Sequence, residues 1–77
     1  MPPKRQGYRK IAADLIDRIY AGEYPPGSPL PSYADLAKIY SVSVTTVQAA
    51  LRELRAQGLT ESVAGVRVFV VAQLPDR

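Results

Sequence analysis

Few residues in this chain have chemistry to offer, and they gather in one stretch. Between Ser41 and Gly58 the chain reads SVSVTTVQAALRELRAQG. At helical periodicity Thr45, Gln48, Ala49, Arg52 and Ala56 fall on one side, and Val47, Ala50, Leu51 and Leu54 on the other. The polar side opens with small or amide-bearing side chains and has no acid at its centre. Small side chains let a backbone approach the floor of a groove. Threonine and glutamine then hydrogen-bond base edges, glutamine being suited to adenine, while the methyls of Ala49 and Thr45 meet a thymine methyl. Arg52, one turn further on, is better placed for a phosphate. An ordinary solvated helix surface has the same pattern, and the local pattern alone leaves both readings open.

Catalysis has little to build on. The 77 residues include no cysteine and no histidine, which removes disulfides, thiolate nucleophiles, imidazole bases and the usual zinc ligands together. The carboxylates are scattered over wet faces, and a chain of this size leaves little room for a pocket. No enzyme, no metal and no cofactor is expected. The composition, 47% hydrophobic and 22% charged, is that of a soluble globular domain. With no continuous apolar segment and no secretory leader pattern, a cytoplasmic protein without a membrane partner is expected.

Charge is uneven. The net formal charge is +3, and the first ten residues hold Lys4, Arg5, Arg9 and Lys10 with no acid. Residues 1–7 are expected to form a flexible basic arm, suited either to tracking phosphates with Lys4, Arg5 and Arg9 or to plain solubility.

The elements that would position these residues follow from periodicity and breakers. Tyr8, Ile11, Ala12, Leu15, Ile16, Ile19 and Tyr20 mark one face of a first helix, roughly 8–21, with Asp14, Asp17 and Arg18 on the wet side. AGEYPPG must end it. The proline-dense PPGSPLPS permits a turn and a short edge strand around Leu30. Ser32 then offers an N-cap, with Asp35 placed to complete a capping box, and a second helix runs to about Tyr40. Ser43 caps a third, which Gly58 ends. LTESV and VRVFVVA read as two strands of a hairpin turning at Ala64-Gly65, with Arg67 leaning outward near its tip. The edge of the apolar second strand offers a route to pairing with a second chain. The sequence thus predicts a mostly α fold with a small β-hairpin: three helices, a short edge strand and a two-stranded wing, spanning 8–71, followed by a tail or truncated linker at 72–77. Two short helices joined by a tight turn describe a helix-turn-helix.

The stretch LPSYADLAKIYSVSVTTVQAALRELRAQGLTE resembles the DNA-binding domain of the GntR family of bacterial transcription regulators, and the likeness extends back through YRKIAADLIDRIYAGEYPPGSPLPS. The marks that carry it are PPGSPLPS, VSVTTV and the AL..L...GL ending. The resemblance implies a winged helix-turn-helix that binds operator DNA, usually as a homodimer, with the third helix in the major groove and the hairpin as a wing. Carried over by position, Ser43, Thr45, Thr46 and Gly65 match DNA-contacting places in the family. Ala34, Val44 and Gln48 occupy contact places with changed chemistry. The family usually carries Glu-Arg where this chain has Tyr33 and Ala34, and arginine where it has Val44 and Gln48. In the wing, Gly65, Phe69 and Val70 are kept while the positive charge stands at Arg67. Ser32 and Tyr33, at a helix amino terminus, would offer hydroxyls to a phosphate.

The function expected is a sequence-specific DNA-binding transcriptional regulator, most simply a repressor acting by steric exclusion on double-stranded DNA. Two other readings stand beside it: an architectural or accessory DNA binder of a mobile element, and a winged helix used for protein contacts. The family normally continues into an effector-binding domain, so no small-molecule effector is expected within these residues.

Overall fold

The computed structural model describes residues 7–63 and 67–76. Three helices, α1 (Tyr8–Tyr20), α2 (Tyr33–Tyr40) and α3 (Val44–Ala56), precede an antiparallel pair, β1 (Thr60–Val63) and β2 (Arg67–Val70). The winged helix-turn-helix arrangement expected from the sequence is present.

The helices start and stop for local reasons. Ser32 Oγ accepts the Asp35 N–H at 3.1 Å, which is the forward half of the expected capping box. Ser43 Oγ accepts the Thr46 N–H at 3.2 Å and so opens α3. All three helices end in the same double bond, in which two backbone N–H groups beyond the end reach back to the last free carbonyls. In α3 the Gly58 N–H donates to the Arg55 carbonyl at 2.9 Å and the Leu59 N–H to Leu54 at 3.0 Å. In α2 the equivalent donors are Ser41 and Val42, reaching Lys38 and Ala37. The motif needs a left-handed residue. Gly58 supplies it at φ +77° without strain, whereas Ser41 adopts φ 56° with a side chain attached.

The apolar face of α1 (Ile11, Ala12, Leu15, Ile19) meets Val47, Ala50, Leu51 and Leu54 of α3, and Leu30, Leu36, Leu59, Val68 and Val70 close the cluster. Leu15, Leu36 and Leu54 are fully buried, each worth about 1.5–3 kcal/mol of hydrophobic stabilisation. The eight-residue α2 is too short to persist alone and depends on this packing. Asp14 stands on the partly exposed side of α1, where Tyr40 and Arg18 both converge on its Oδ2, at 2.6 and 2.8 Å. Leu74 packs against the core, and the Tyr20 hydroxyl donates to the Pro75 carbonyl at 2.6 Å.

The hairpin pairs Thr60 with Val70, Glu61 with Phe69, Ser62 with Val68 and Val63 with Arg67. Val68 and Val70 are buried while Arg67 is exposed, as the strand alternation requires. The expectation that β2 has an edge open to a second chain is not met. On the side away from β1, the Leu30 N–H donates to the Val68 carbonyl and the Val70 N–H to the Ser28 carbonyl, both at 2.9 Å, and Pro29 bridges Phe69. The proline-rich segment, expected as a short edge strand, forms an isolated bridge rather than a strand, and it occupies the place a partner strand would need.

Candidate nucleic-acid interface

The outward side of α3 lies between two grooves. On the wing side, Gln48, Arg52 and Arg55 of α3 face Thr60 and Ser62 of β1, with Tyr33 at the start of α2 and with Leu51 and Val68 as the apolar lining. This groove encloses about 300 Å³. On the α1 side, Ala49, Arg52, Glu53 and Ala56 face Tyr8 across a second groove of about 330 Å³. Arg52 lines both.

The side chains expected at the amino end of α3 divide by role. Thr45 is exposed, and Val44 is 41% exposed beside it. Thr46 is half-buried, and its Oγ1 lies 3.0 Å from Ser43 Oγ, so the two hydroxyls are bonded to one another as well as serving the cap. Ser43 and Thr46 therefore hold the amino end of α3 in shape. Thr45 and Arg52 are exposed and Gln48 is half-buried, and their side chains make no ion pair or hydrogen bond among the described residues.

Tyr33, the first residue of α2, is half-buried and lines the wing-side groove as well as a smaller one. The smaller groove brings Ser32, Tyr33 and Arg67 together, from elements far apart in sequence. Arg9 lies in the first turn of α1, its guanidinium 5.8 Å from the centre of the Tyr8 ring, within cation–π reach. Tyr8 in turn lines the α1-side groove with Ala49. Arg9 and Tyr8 thus flank α3 on the face opposite the wing. Lys4, Arg5 and Gly65, expected to contact a ligand, lie outside the described residues.

Arg55, Thr60 and Ser62 share the wing-side groove and were not singled out from the sequence. A signal existed for Arg55, since Gln48, Arg52 and Arg55 follow the i, i+4, i+7 rule. For Ser62 there was none, because its position depends on how the hairpin folds back on α3. The acids nearest the groove turn away from it. Glu53 Oε2 accepts the Gln57 side-chain amide at 3.1 Å, and Glu61 alternates to the other face of the hairpin. No cluster of carboxylates able to hold a metal ion occurs among the described residues.

Comparison with known proteins agrees with this architecture. The family model "Bacterial regulatory proteins, gntR family" matches residues 7–70. The chain is 42% identical over 64 residues to the HTH-type transcriptional regulator YdfD of Bacillus subtilis (strain 168), covering 83% of this chain and 13% of that protein. It is 40% identical over 63 residues to the mannosyl-D-glycerate transport/metabolism system repressor MngR of Escherichia coli (strain K12), covering 82% of this chain and 26% of that one. The chain therefore spans about a quarter or less of the length of these relatives. Among solved structures, the AraR DNA-binding domain in complex with operator ORX1 superposes with a TM-score of 0.79 at 31% identity, covering 92% of this chain and 82% of that one. The helix caps, the wing and the extended match place the protein: the chain belongs to the GntR family of bacterial regulatory proteins.

Proposed function

We propose that the protein is a sequence-specific DNA-binding transcriptional regulator, acting as a repressor by occupying its operator. The observation that carries this reading is the outward side of α3. Gln48 and Arg52 line the open wing-side groove and Thr45 stands exposed ahead of them, on a helix whose amino end is fixed by Ser43 and Thr46. Rigid presentation matters here, because a base-reading side chain loses discrimination when its helix frays. The operator complex of AraR and the repressor MngR, both similar to this chain, support the same reading.

In this reading α3 enters the major groove. Gln48 reads adenine through its amide, and Thr45 and Ala49 meet thymine methyls. Ser32, Tyr33 and Arg52 take phosphates and set the register, while Arg67 and Gly65 serve from the wing. Lys4, Arg5 and Arg9 add an electrostatic contribution that carries no sequence information. A homodimer on DNA belongs to this proposal, and sedimentation of the protein with and without operator tests it. The protein works in the cytoplasm.

The test is a fluorescence-anisotropy titration of a labelled duplex from upstream of its own gene against a scrambled duplex, at two salt concentrations. Tighter binding to the native duplex is expected, with Gln48→Ala reducing the preference. Equal binding of both duplexes with a steep salt dependence would favour an architectural role. No binding at either salt would overturn the DNA reading in favour of protein partners.

A further inference from the structure

The wing-side groove contains more cationic and hydroxyl chemistry than base reading requires. Arg52 and Arg55 enter it from α3, Ser62 from β1 and the Tyr33 phenol from α2, and no carboxylate lines it. Neither guanidinium has an ion-pair partner among the described residues. Arg18 makes the contrast, being held by Asp14 and Glu23 at 2.8 Å each. Two adjacent cations left unneutralised in a concave, carboxylate-free site repel one another, and an anion placed between them removes the repulsion.

We propose that this groove is a seat for one DNA phosphodiester, in which Arg55 and Ser62 join Arg52 and Tyr33 in holding the backbone strand that passes between α3 and the wing. The proposal rests on the DNA-binding reading above and extends it to residues which that reading does not use. The topology gives the reason. When one element lies in a major groove and its neighbour reaches the adjacent minor groove, the phosphate strand dividing the two grooves crosses the cleft between those elements. Here that cleft is floored by Leu51 and Val68 and walled by Tyr33, Arg52, Arg55 and Ser62, with Gln48 and Thr60 beside them. Arginine and hydroxyl donors at such a crossing fix register without reading sequence. The seat also accounts for how the domain can hold DNA with Val44 and Gln48 in place of cations near the start of α3: positive charge is supplied one to two turns later, at Arg52 and Arg55.

The experiment measures binding of the full chain to the native and the scrambled duplex across a salt series, for the wild type, Arg55→Gln, Arg55→Lys and Ser62→Ala. A charged phosphate contact contributes about −0.9 to the slope of log K against log salt. Arg55→Gln is expected to weaken both duplexes equally, roughly tenfold, and to flatten the slope by about one. Arg55→Lys should restore the slope, and Ser62→Ala should lose a few-fold in affinity with the slope unchanged. Arg55 and Ser62 are both exposed, and circular dichroism verifies that each variant remains folded. Wild-type binding with an unaltered slope in Arg55→Gln overturns the seat and leaves the DNA reading standing. Failure of the wild type to bind either duplex overturns both.

Discussion

Tyr40, the last residue of α2, donates its phenol to Asp14 Oδ2 of α1 at 2.6 Å, and the same oxygen accepts Arg18 Nε at 2.8 Å. One carboxylate thereby ties the helix-turn-helix, where α2 runs into the turn, to the helix behind it. The Tyr40 bond, then Arg18, hold Asp14 below the usual carboxylate range, while burial and Asp14 push the Tyr40 phenol upward.

Because the folded state lowers the Asp14 pKa, its contribution is present above the ordinary carboxylate pKa and is lost as the pH falls through the folded value. Tyr40→Phe is expected to cost about 1 kcal/mol at neutral pH and to flatten the acid limb of the stability profile. Urea unfolding at a series of pH values checks both; a variant with an unchanged acid limb would refute the link.

Ser41 holds a left-handed conformation at φ 56° in the turn between α2 and α3. Ser41→Gly should stabilise the fold by on the order of 0.5–1 kcal/mol, the relief of strain outweighing the entropy of glycine in the unfolded chain. Chemical denaturation measures the gain. Base preference should stay unchanged, since the turn geometry is kept.

Gly58 provides the complementary case. It sits at φ +77° with nothing within 4 Å of where a Cβ would stand, so Gly58→Ala costs conformational energy without a clash. A loss of about 1 kcal/mol is expected, and a much larger loss in thermal unfolding would point to a contact not accounted for.

Leu54 is fully buried where α3 meets the core. Leu54→Ala should cost about 2–5 kcal/mol, a large share of the stability of a domain this small. Calorimetry is expected to show either a strongly lowered transition or none.

Gln48→Arg would place a guanidinium on the outward side of α3. A shift of preference from adenine toward guanine at one operator position is expected, worth about 1–3 kcal/mol, and a panel of single-base operator variants reads it out.

Much of this was legible in the sequence because it is local. Val47, Ala50, Leu51 and Leu54 announce the buried stripe of α3 by spacing, while Ser32 announces the start of α2, and Ser43 and Gly58 the two ends of α3, by their capping chemistry. What the sequence hid depends on chain reversal. The bond between Asp14 and Tyr40 joins residues that no periodicity relates. Ser62 enters the wing-side groove only because the hairpin folds back on α3. The free edge expected on β2 was a local reading defeated by a distant segment, since VRVFVVA does not reveal that Gly27–Leu30 lies along it.

That covered edge bears on how the protein survives at high concentration. A short, β-branched, apolar strand with an open hydrogen-bonding side is a template for the growth of fibrils. Here Ser28, Pro29 and Leu30 act as a gatekeeper: their backbone takes up the N–H and carbonyl groups of Val68 and Val70, and Pro29, which has no N–H, cannot extend the ladder outward. Partial opening of this one segment, without global unfolding, would uncover the hydrogen-bonding edge of β2.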